Sequence, residues 1–326
     1  MRFFSTTLVA AALGIALSLT GERASASDFP NRPIRLVVGF AAGGSTDVTG
    51  RAVASELQAI LGQPVAVENK PGAGTMIAAD TVKRAPPDGY TLMYASPSTI
   101  VAPLMQKNAT FDMARDLVTV GVVTTQPMGI LVTPELGIRS LTQLVEFARA
   151  NPGRINFAST GNGTSEHLLI EAISDRLGIK FTHVPYKGSG QVLVDLIAGR
   201  VHMTVNSLFG PTLDSVRSGK LYLVGLTSAG REATYPDVQT LRDVGVQDFS
   251  FHSWGAVLAP AGTPSAVVEK INLAIQKIAA DGKFQKAVAA QAMTVRNWSV
   301  EESKAFMDKQ TTFFVDAVKK SNPSMD

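Results

Sequence analysis

Cysteine is absent from the 326 residues. That excludes a thiol nucleophile, an iron–sulfur cluster, a cysteine zinc site and a lipid-modified cysteine anchor. It leaves the redox compartment open, because a chain of this length buries enough surface to fold without disulfides. Charge is sparse: Asp, Glu, Lys and Arg make up 17% of the chain, and 30 basic against 27 acidic residues leave +3 with no basic block. A nucleic-acid partner therefore has no electrostatic footprint. Histidine is scarce too, and His167, His183, His202 and His252 show no His-Glu-x-x-His spacing. Neither a Gly-x-Ser-x-Gly elbow nor a Gly-x4-Gly-Lys-Ser/Thr phosphate loop occurs, so the common hydrolase and nucleotidase signatures are missing. No metal and no cofactor is expected.

Long apolar runs are confined to the start. Met1-Arg2 is followed by twelve mostly apolar residues, Leu8 to Leu19, and then by the small-x-small site Ala24-Ser25-Ala26. This is the layout of a secretory signal peptide over residues 1–26, which predicts export to the periplasm and a mature chain from Ser27. A membrane anchor is the competing reading, but the run is short for a span, and Gly21-Glu22-Arg23 breaks it.

Beyond it, short apolar strands, Gly- or Ser-rich turns and amphipathic helices repeat. Ile34 to Phe40 reads as a buried strand, Gly43-Gly44-Ser45-Thr46-Asp47 as a turn, and Val48, Ala52, Val53, Leu57, Ile60 and Leu61 as one helix face. Ser140 with Gln143 forms a capping box for a helix carrying Leu141, Leu144, Val145 and Ala148. A strand at 155–158, the loop Ser159 to Thr164 and a helix with Leu168, Leu169, Ala172, Ile173 and Leu177 repeat the unit. Further strands are expected near 65–67, 90–94, 181–184, 201–205 and 221–226, and helices near 190–199, 211–218, 264–281, 284–291 and 300–320. The alternation predicts an α/β fold: two doubly wound domains of parallel sheet with a hinge. No linker separates them, so the chain must cross inside ordered structure. The β-rich segments Val120 to Val132 and Phe249 to Val257 are the candidate crossings. They divide the chain into a discontinuous first domain, 27–127 with 252–326, and a second domain, 128–251.

In such folds ligands sit beyond the carboxyl ends of strands, where helix N-termini offer free N–H groups to anions. Two turns fit. Ala42, Gly43, Gly44, Ser45 and Thr46 form one, and Ser159, Thr160, Gly161, Gly163 and Thr164 the other; both combine glycines with hydroxyls. A dinucleotide site competes for the second turn. It fails because Glu166 stands where the third glycine belongs, and the next strand ends His183-Val184-Pro185-Tyr186 without a ribose-binding carboxylate. Asp47 is expected to cap its own helix, and Glu166 to point along its helix into solvent. His167 lies near the second turn. A third strand-to-helix turn, Pro185 to Gly190, brings Tyr186 and Lys187 to the same edge.

Read together, these segments resemble the Bug family, the periplasmic substrate-binding proteins of tripartite tricarboxylate transporters. The resemblance spans essentially the whole mature chain. It runs through Phe29-Pro30-Asn31-Arg32-Pro33-Ile34-Arg35-Leu36-Val37-Val38, Ala42-Gly43-Gly44-Ser45-Thr46-Asp47, Val67-Glu68-Asn69-Lys70-Pro71-Gly72-Ala73-Gly74 and Pro87-Asp88-Gly89-Tyr90-Thr91-Leu92. It continues through Gly161-Asn162-Gly163-Thr164-Ser165-Glu166-His167-Leu168, Val184-Pro185-Tyr186-Lys187-Gly188, Trp254-Gly255 and Ala259-Pro260-Ala261-Gly262-Thr263-Pro264. It implies a type II periplasmic-binding-protein architecture and a non-enzymatic, monomeric receptor. Such a receptor closes on a small organic carboxylate and delivers it to membrane subunits of the transporter. Together with the turns, the candidate ligand-binding set is Phe40, Ala42, Gly43, Gly44, Ser45, Thr46, Asp47, Ser96, Ser159, Thr160, Gly161, Gly163, Thr164, His167, Tyr186, Lys187 and Asn206. Where many members carry a Phe-Asp pair, this chain has Val205-Asn206. The missing carboxylate leads to the expectation that a plain organic acid is preferred over its α-amino counterpart. Two other classes remain: an α/β enzyme using Asp47 or His167 as acid/base, and a carboxylate-sensing component of a signalling receptor.

Overall fold

A computed structural model describes residues 29–321, apart from 107, 229, 248 and 290–292. The expected leader and its cleavage site after Ala26 lie outside the described residues. Apolar β-branched runs form the strands. β1 (Ile34–Val38) lies between β2 (Val65–Asn69) and β3 (Thr91–Ala95), both parallel to it. On the far side, β5 (Asn156–Ser159) pairs in parallel with β6 (Thr182–Pro185) and β7 (Met203–Ser207).

Two antiparallel strands join these parallel groups. β4 (Leu117–Val132) is 16 residues long, and β9 is His252–Pro260. The order across the sheet is β2-β1-β3-β9-β4-β7-β5-β6; β8 (Tyr222–Leu226) and β10 (Thr294–Val295) pair with β4 off this path. Up to Pro127, β4 pairs with β9; from Met128 onward it pairs with β7 and β8. Pro127 stands at the handover, where a missing N–H interrupts neither ladder. The all-parallel expectation thus holds for the outer strands and fails for the central ones, because a strand that carries the chain from one half into the other meets its neighbours head to tail.

Eleven α-helices are described, from α1 (Ser45–Leu61), α2 (Met76–Lys83) and α3 (Ser98–Met105) through α4 (Met113–Asp116), α5 (Leu141–Ala150), α6 (Ser165–Leu177), α7 (Ser189–Ile197) and α8 (Gly210–Arg217) to α9 (Ser265–Ala280), α10 (Gly282–Ala289) and α11 (Val300–Ser321). Ser140 caps α5 by accepting from the Gln143 N–H, as its motif predicts. One core cluster holds Ile34, Leu57, Val257 and Ile271 in the first half, and another holds Leu131, Ala158, Leu196 and Leu226 in the second. A third runs beneath the crossing strands, from Val37 and Met93 through Ile130 and Phe251 to Phe157 and Phe314. Apolar burial is therefore continuous across the joint, while the strand ends carrying the glycine turns face each other.

Candidate functional site

The first turn is built around Asp47. Its buried carboxylate accepts from the Gly43 N–H at 2.9 Å, from Arg51 Nε at 3.0 Å and, through the other oxygen, from Asn69 Nδ2 at 2.8 Å. Asn69 also donates to the Phe40 carbonyl at 2.9 Å. Burial pushes the Asp47 carboxyl up, but the hydrogen bonds from Arg51, Gly43 and Asn69 outweigh it and hold it below its ordinary value. Gly43 sits at φ +84, which its missing Cβ makes cheap. The Asp47 carboxylate is thus spent on shaping the turn. Gly44 at the N-cap has no side chain to offer, and the Ser45 N–H is taken by Ser189, but among the described residues nothing accepts from the Thr46 or Asp47 N–H groups. Those amides and the helix dipole are open to an anion.

The second turn repeats this pattern. Its Gly161 N–H donates to Ser159 Oγ at 3.1 Å, its Gly163 N–H to His167 Nδ1 at 3.4 Å, and the Ser165 N–H to Ser98 Oγ at 3.1 Å. Glu166 does not point into solvent: it is half-buried, and its Oε2 accepts from the Thr160 hydroxyl at 2.8 Å and from Ser165 at 3.3 Å. Burial raises its carboxyl, against the hydrogen bonds it accepts. Three of the donors expected to face a ligand here are thus taken, two by the neighbours Ser159 and His167 and one by the distant Ser98.

Behind this turn lies an aromatic stack. His167 and His183 are 4.0 Å apart, and Phe157 stacks on His183 at 4.6 Å. Ser159 Oγ and His183 Nε2 share a hydrogen bond of 2.6 Å. Burial pushes both imidazoles down to about 4, with His183 adding to the effect on His167. Both rings are neutral at pH 7 and serve as supports of the loop.

The turns meet across the cleft. The Ser45 N–H donates to Ser189 Oγ at 2.9 Å, and the Ala41 N–H to the Lys187 carbonyl at 3.3 Å. On the opposite side, Ser98 Oγ lies 3.2 Å from Ser165 Oγ. A Cβ on Gly74, at φ +64, would stand 3.0 Å from the Asn162 and Gly163 carbonyls, so only glycine fits that approach.

Two cavities open between the halves. The larger, about 240 Å³, is lined by Gly39, Phe40, the segment 72–75, Thr160, Gly161, Asn162, Pro185, Tyr186 and Lys187. The smaller, about 20 Å³, lies at the start of α1 among Ser45, Thr46, Thr49, Tyr94, Ser96, Thr124, Gln126, Ser207 and Ser253. It has room for one or two waters. Ser96 Oγ and Gln126 Oε1 on its wall have no protein partner, although the residues are only 9% and 8% exposed. Buried polar atoms of this kind need a partner.

The predicted residues therefore separate. Ser45, Thr46 and Ser96 line the small cavity, and Phe40, Thr160, Gly161, Tyr186 and Lys187 the large one. Ala42 and Gly43 are exposed at the turn, and Gly44 packs beside Ser189. Ser159, Gly163, Thr164 and His167 are buried behind the second turn. Tyr186 donates to Asp195 at 2.7 Å. Asn206 is buried in β7, its Oδ1 accepting from the Ser207 N–H at 2.8 Å, and it is Ser207 that lines the small cavity. Thr124 and Gln126 escaped notice, although two polar residues at i and i+2 of an apolar strand mark one polar face.

Comparison with known proteins fits this geometry. Residues 49–322 match the family described as "Tripartite tricarboxylate transporter family receptor". The chain is 35% identical over 308 residues to the protein BugT of Bordetella pertussis, covering 92% of this chain and 93% of that one. A second protein of the same species is 36% identical over 297 residues, covering 91% of each. A solved periplasmic transporter superposes with a TM-score of 0.86 at 33% identity, over 91% of this chain and 100% of that one. Rpa4515 of R. palustris, solved with adipate, gives 0.85 at 28% identity, over 90% and 99%. MatC of Rhodopseudomonas palustris, with bound malate, gives 0.84 at 26% identity, over 89% and 100%. With the family model matched over residues 49–322, relatives about a third identical along nearly the whole chain and the same mixed α/β architecture, the chain belongs to the tripartite tricarboxylate transporter receptor family and is a solute-binding receptor of it.

Proposed function

We propose that the protein is exported, cleaved after Ala26, and works in the periplasm as a monomeric, non-enzymatic receptor for a small organic acid. The acid's carboxylate sits at the N-terminus of α1, on the Thr46 and Asp47 amides, with Ser45, Ser96, Gln126 and Ser207 around it. The remainder extends toward Phe40, Thr160, Gly161, Tyr186 and Lys187. Residues 27–127 with 252–326 form one domain and 128–251 the other; β4 at Pro127 and the return into β9 are the hinge. The closed form presents the acid to membrane subunits of the transporter.

One observation carries this reading: a 17-residue helix whose Thr46 and Asp47 N–H groups have no acceptor among the described residues opens on a cavity where Ser96 Oγ and Gln126 Oε1 lack partners. The solved relatives with adipate and malate support a carboxylate as ligand. Calorimetric titration of the purified mature protein with a panel of organic acids should return micromolar or tighter binding, with the acid recovered unchanged. Conversion of a bound acid would favour the enzyme, and loss of all binding would reject the receptor. Sequencing of the exported protein should begin Ser27-Asp28-Phe29.

A further inference from the structure

The two cavities between the halves contain very little positive charge. The residues around the small one are all uncharged, and among the described residues Lys187, which is exposed, is the sole cation around the large one. The other basic groups nearby are committed. Arg51 is bonded to Asp47 and Asn69, with 2.8 Å from its Nη2 to Asn69 Oδ1. Arg296 donates to Thr125 Oγ1 at 2.9 Å, and strand alternation turns Thr125 away from the cavity face of Thr124 and Gln126.

The two turns are also unequal as anion sites. In both, the glycine and first helical N–H groups are committed, Gly43 and Ser45 to Asp47 and Ser189, Gly163 and Ser165 to His167 and Ser98. The difference is charge: Asp47 at the start of α1 is paired with Arg51, whereas Glu166 at the start of α6 is held by the Thr160 and Ser165 hydroxyls. A ligand carboxylate on that side would meet an uncompensated like charge, and a buried charge without a partner is costly. Meanwhile Ser96 Oγ and Gln126 Oε1 wait for a neutral hydrogen-bonding group beside the α1 site. A hydroxyl can donate to the Gln126 oxygen and accept from Ser96.

Resting on the receptor reading above, we propose that this receptor selects a monocarboxylate that carries a hydroxyl group, and discriminates against di- and tricarboxylates. One carboxylate is held at α1, the hydroxyl pairs with Gln126 and Ser96, and Glu166 repels a second carboxylate. Glu166, which contributes no donor, acts as a specificity residue.

Calorimetry on the mature protein with acids matched at four and six carbons tests this: 3-hydroxybutyrate and gluconate, butyrate and hexanoate, malate and adipate. The hydroxy monocarboxylate should bind at least tenfold tighter than the other two members of one or both sets. Glu166→Gln, which keeps an acceptor for Thr160, should narrow the preference over the dicarboxylate about tenfold. Gln126→Ala should narrow the preference over the plain monocarboxylate. A dicarboxylate that binds tightest in the wild-type protein overturns the inference and leaves the carboxylate receptor standing. Equal binding of hydroxylated and plain monocarboxylates overturns the role given to Gln126 and Ser96. No binding by any of the six overturns the receptor reading with it.

Discussion

Removing the Asp47 carboxylate should cost both stability and ligand. Asp47→Ala takes away the acceptor for the Gly43 N–H, for Asn69 and for Arg51. Hydrogen bonds to a charged group contribute about 1.5–3 kcal/mol each, but cooperating partners are not additive and water replaces some of them. Arg51 is half exposed, so its ion pair adds only ~0.5 kcal/mol. The expected net loss is about 2–3 kcal/mol, which lowers the melting temperature by roughly 3–5 °C in a chain of this size. The Gly43–Thr46 turn also loses its anchor, so carboxylate affinity should fall at least about tenfold, or ~1.4 kcal/mol. Arg51→Ala should reproduce only a small part of both effects. The pH dependence follows from the depressed carboxyl: the stability from Asp47 is present above its unfolded value near 4 and is lost as pH falls through the lower folded value. Differential scanning fluorimetry across pH, with calorimetric titration of the best acid, measures each part. A melting shift under 1 °C together with unchanged affinity would refute this account of the turn.

The stacked histidines should remain neutral through the physiological range. Their folded values of about 4 lie below the unfolded value near 6.5, so the stability they contribute is complete above 6.5 and declines as pH falls toward 4. Imidazole NMR resonances of His167 and His183 that titrate near 6.5 would contradict the burial argument. The serines that cap helices across the cleft should hold the halves together: Ser98→Ala and Ser189→Ala each remove a cap worth about 1 kcal/mol. Acid dissociation should be several-fold faster in each and faster still in the pair; unchanged rates by stopped flow would show that these contacts do not hold the cleft. Gly74→Ala should fold with a strained backbone and a blocked approach to the second turn, giving a larger radius of gyration in scattering with saturating acid than wild type. Identical curves would refute the close approach.

Much of this architecture is written locally. The 3.6-residue apolar spacing from Val53 to Leu61 and the cap pair Ser140 and Gln143 locate α1 and α5 closely. The long β-rich segment 120–132 lies within a single strand, β4. Three helices stay hidden, among them the four-residue α4. α2 follows the turn-like Pro71-Gly72-Ala73-Gly74, and α3 carries Pro103 in its interior. Strand direction is non-local, so β4 and β9 could not be recognised as antiparallel from their own residues. The same reason explains the site. That the Ser45 N–H at the start of α1 is taken by Ser189, 144 residues away, was not legible. Nor was the matching bond from the Ser165 N–H to Ser98, 67 residues away. Glu166 folding back onto Thr160 belongs to the same class of unreadable contact.

The central claim is that a carboxylate docks on the Thr46 and Asp47 amides at the start of α1, and amide chemical shifts report it directly. A uniformly nitrogen-15-labelled mature protein, titrated with an acid that raises its melting temperature, should show large downfield amide-proton shifts at Thr46 and Asp47, as charge-assisted hydrogen bonds form. Gly161, Gly163 and Ser165, whose N–H groups already have internal acceptors, should move far less. Large downfield shifts at those three residues, with Thr46 and Asp47 unmoved at saturation, would contradict the account.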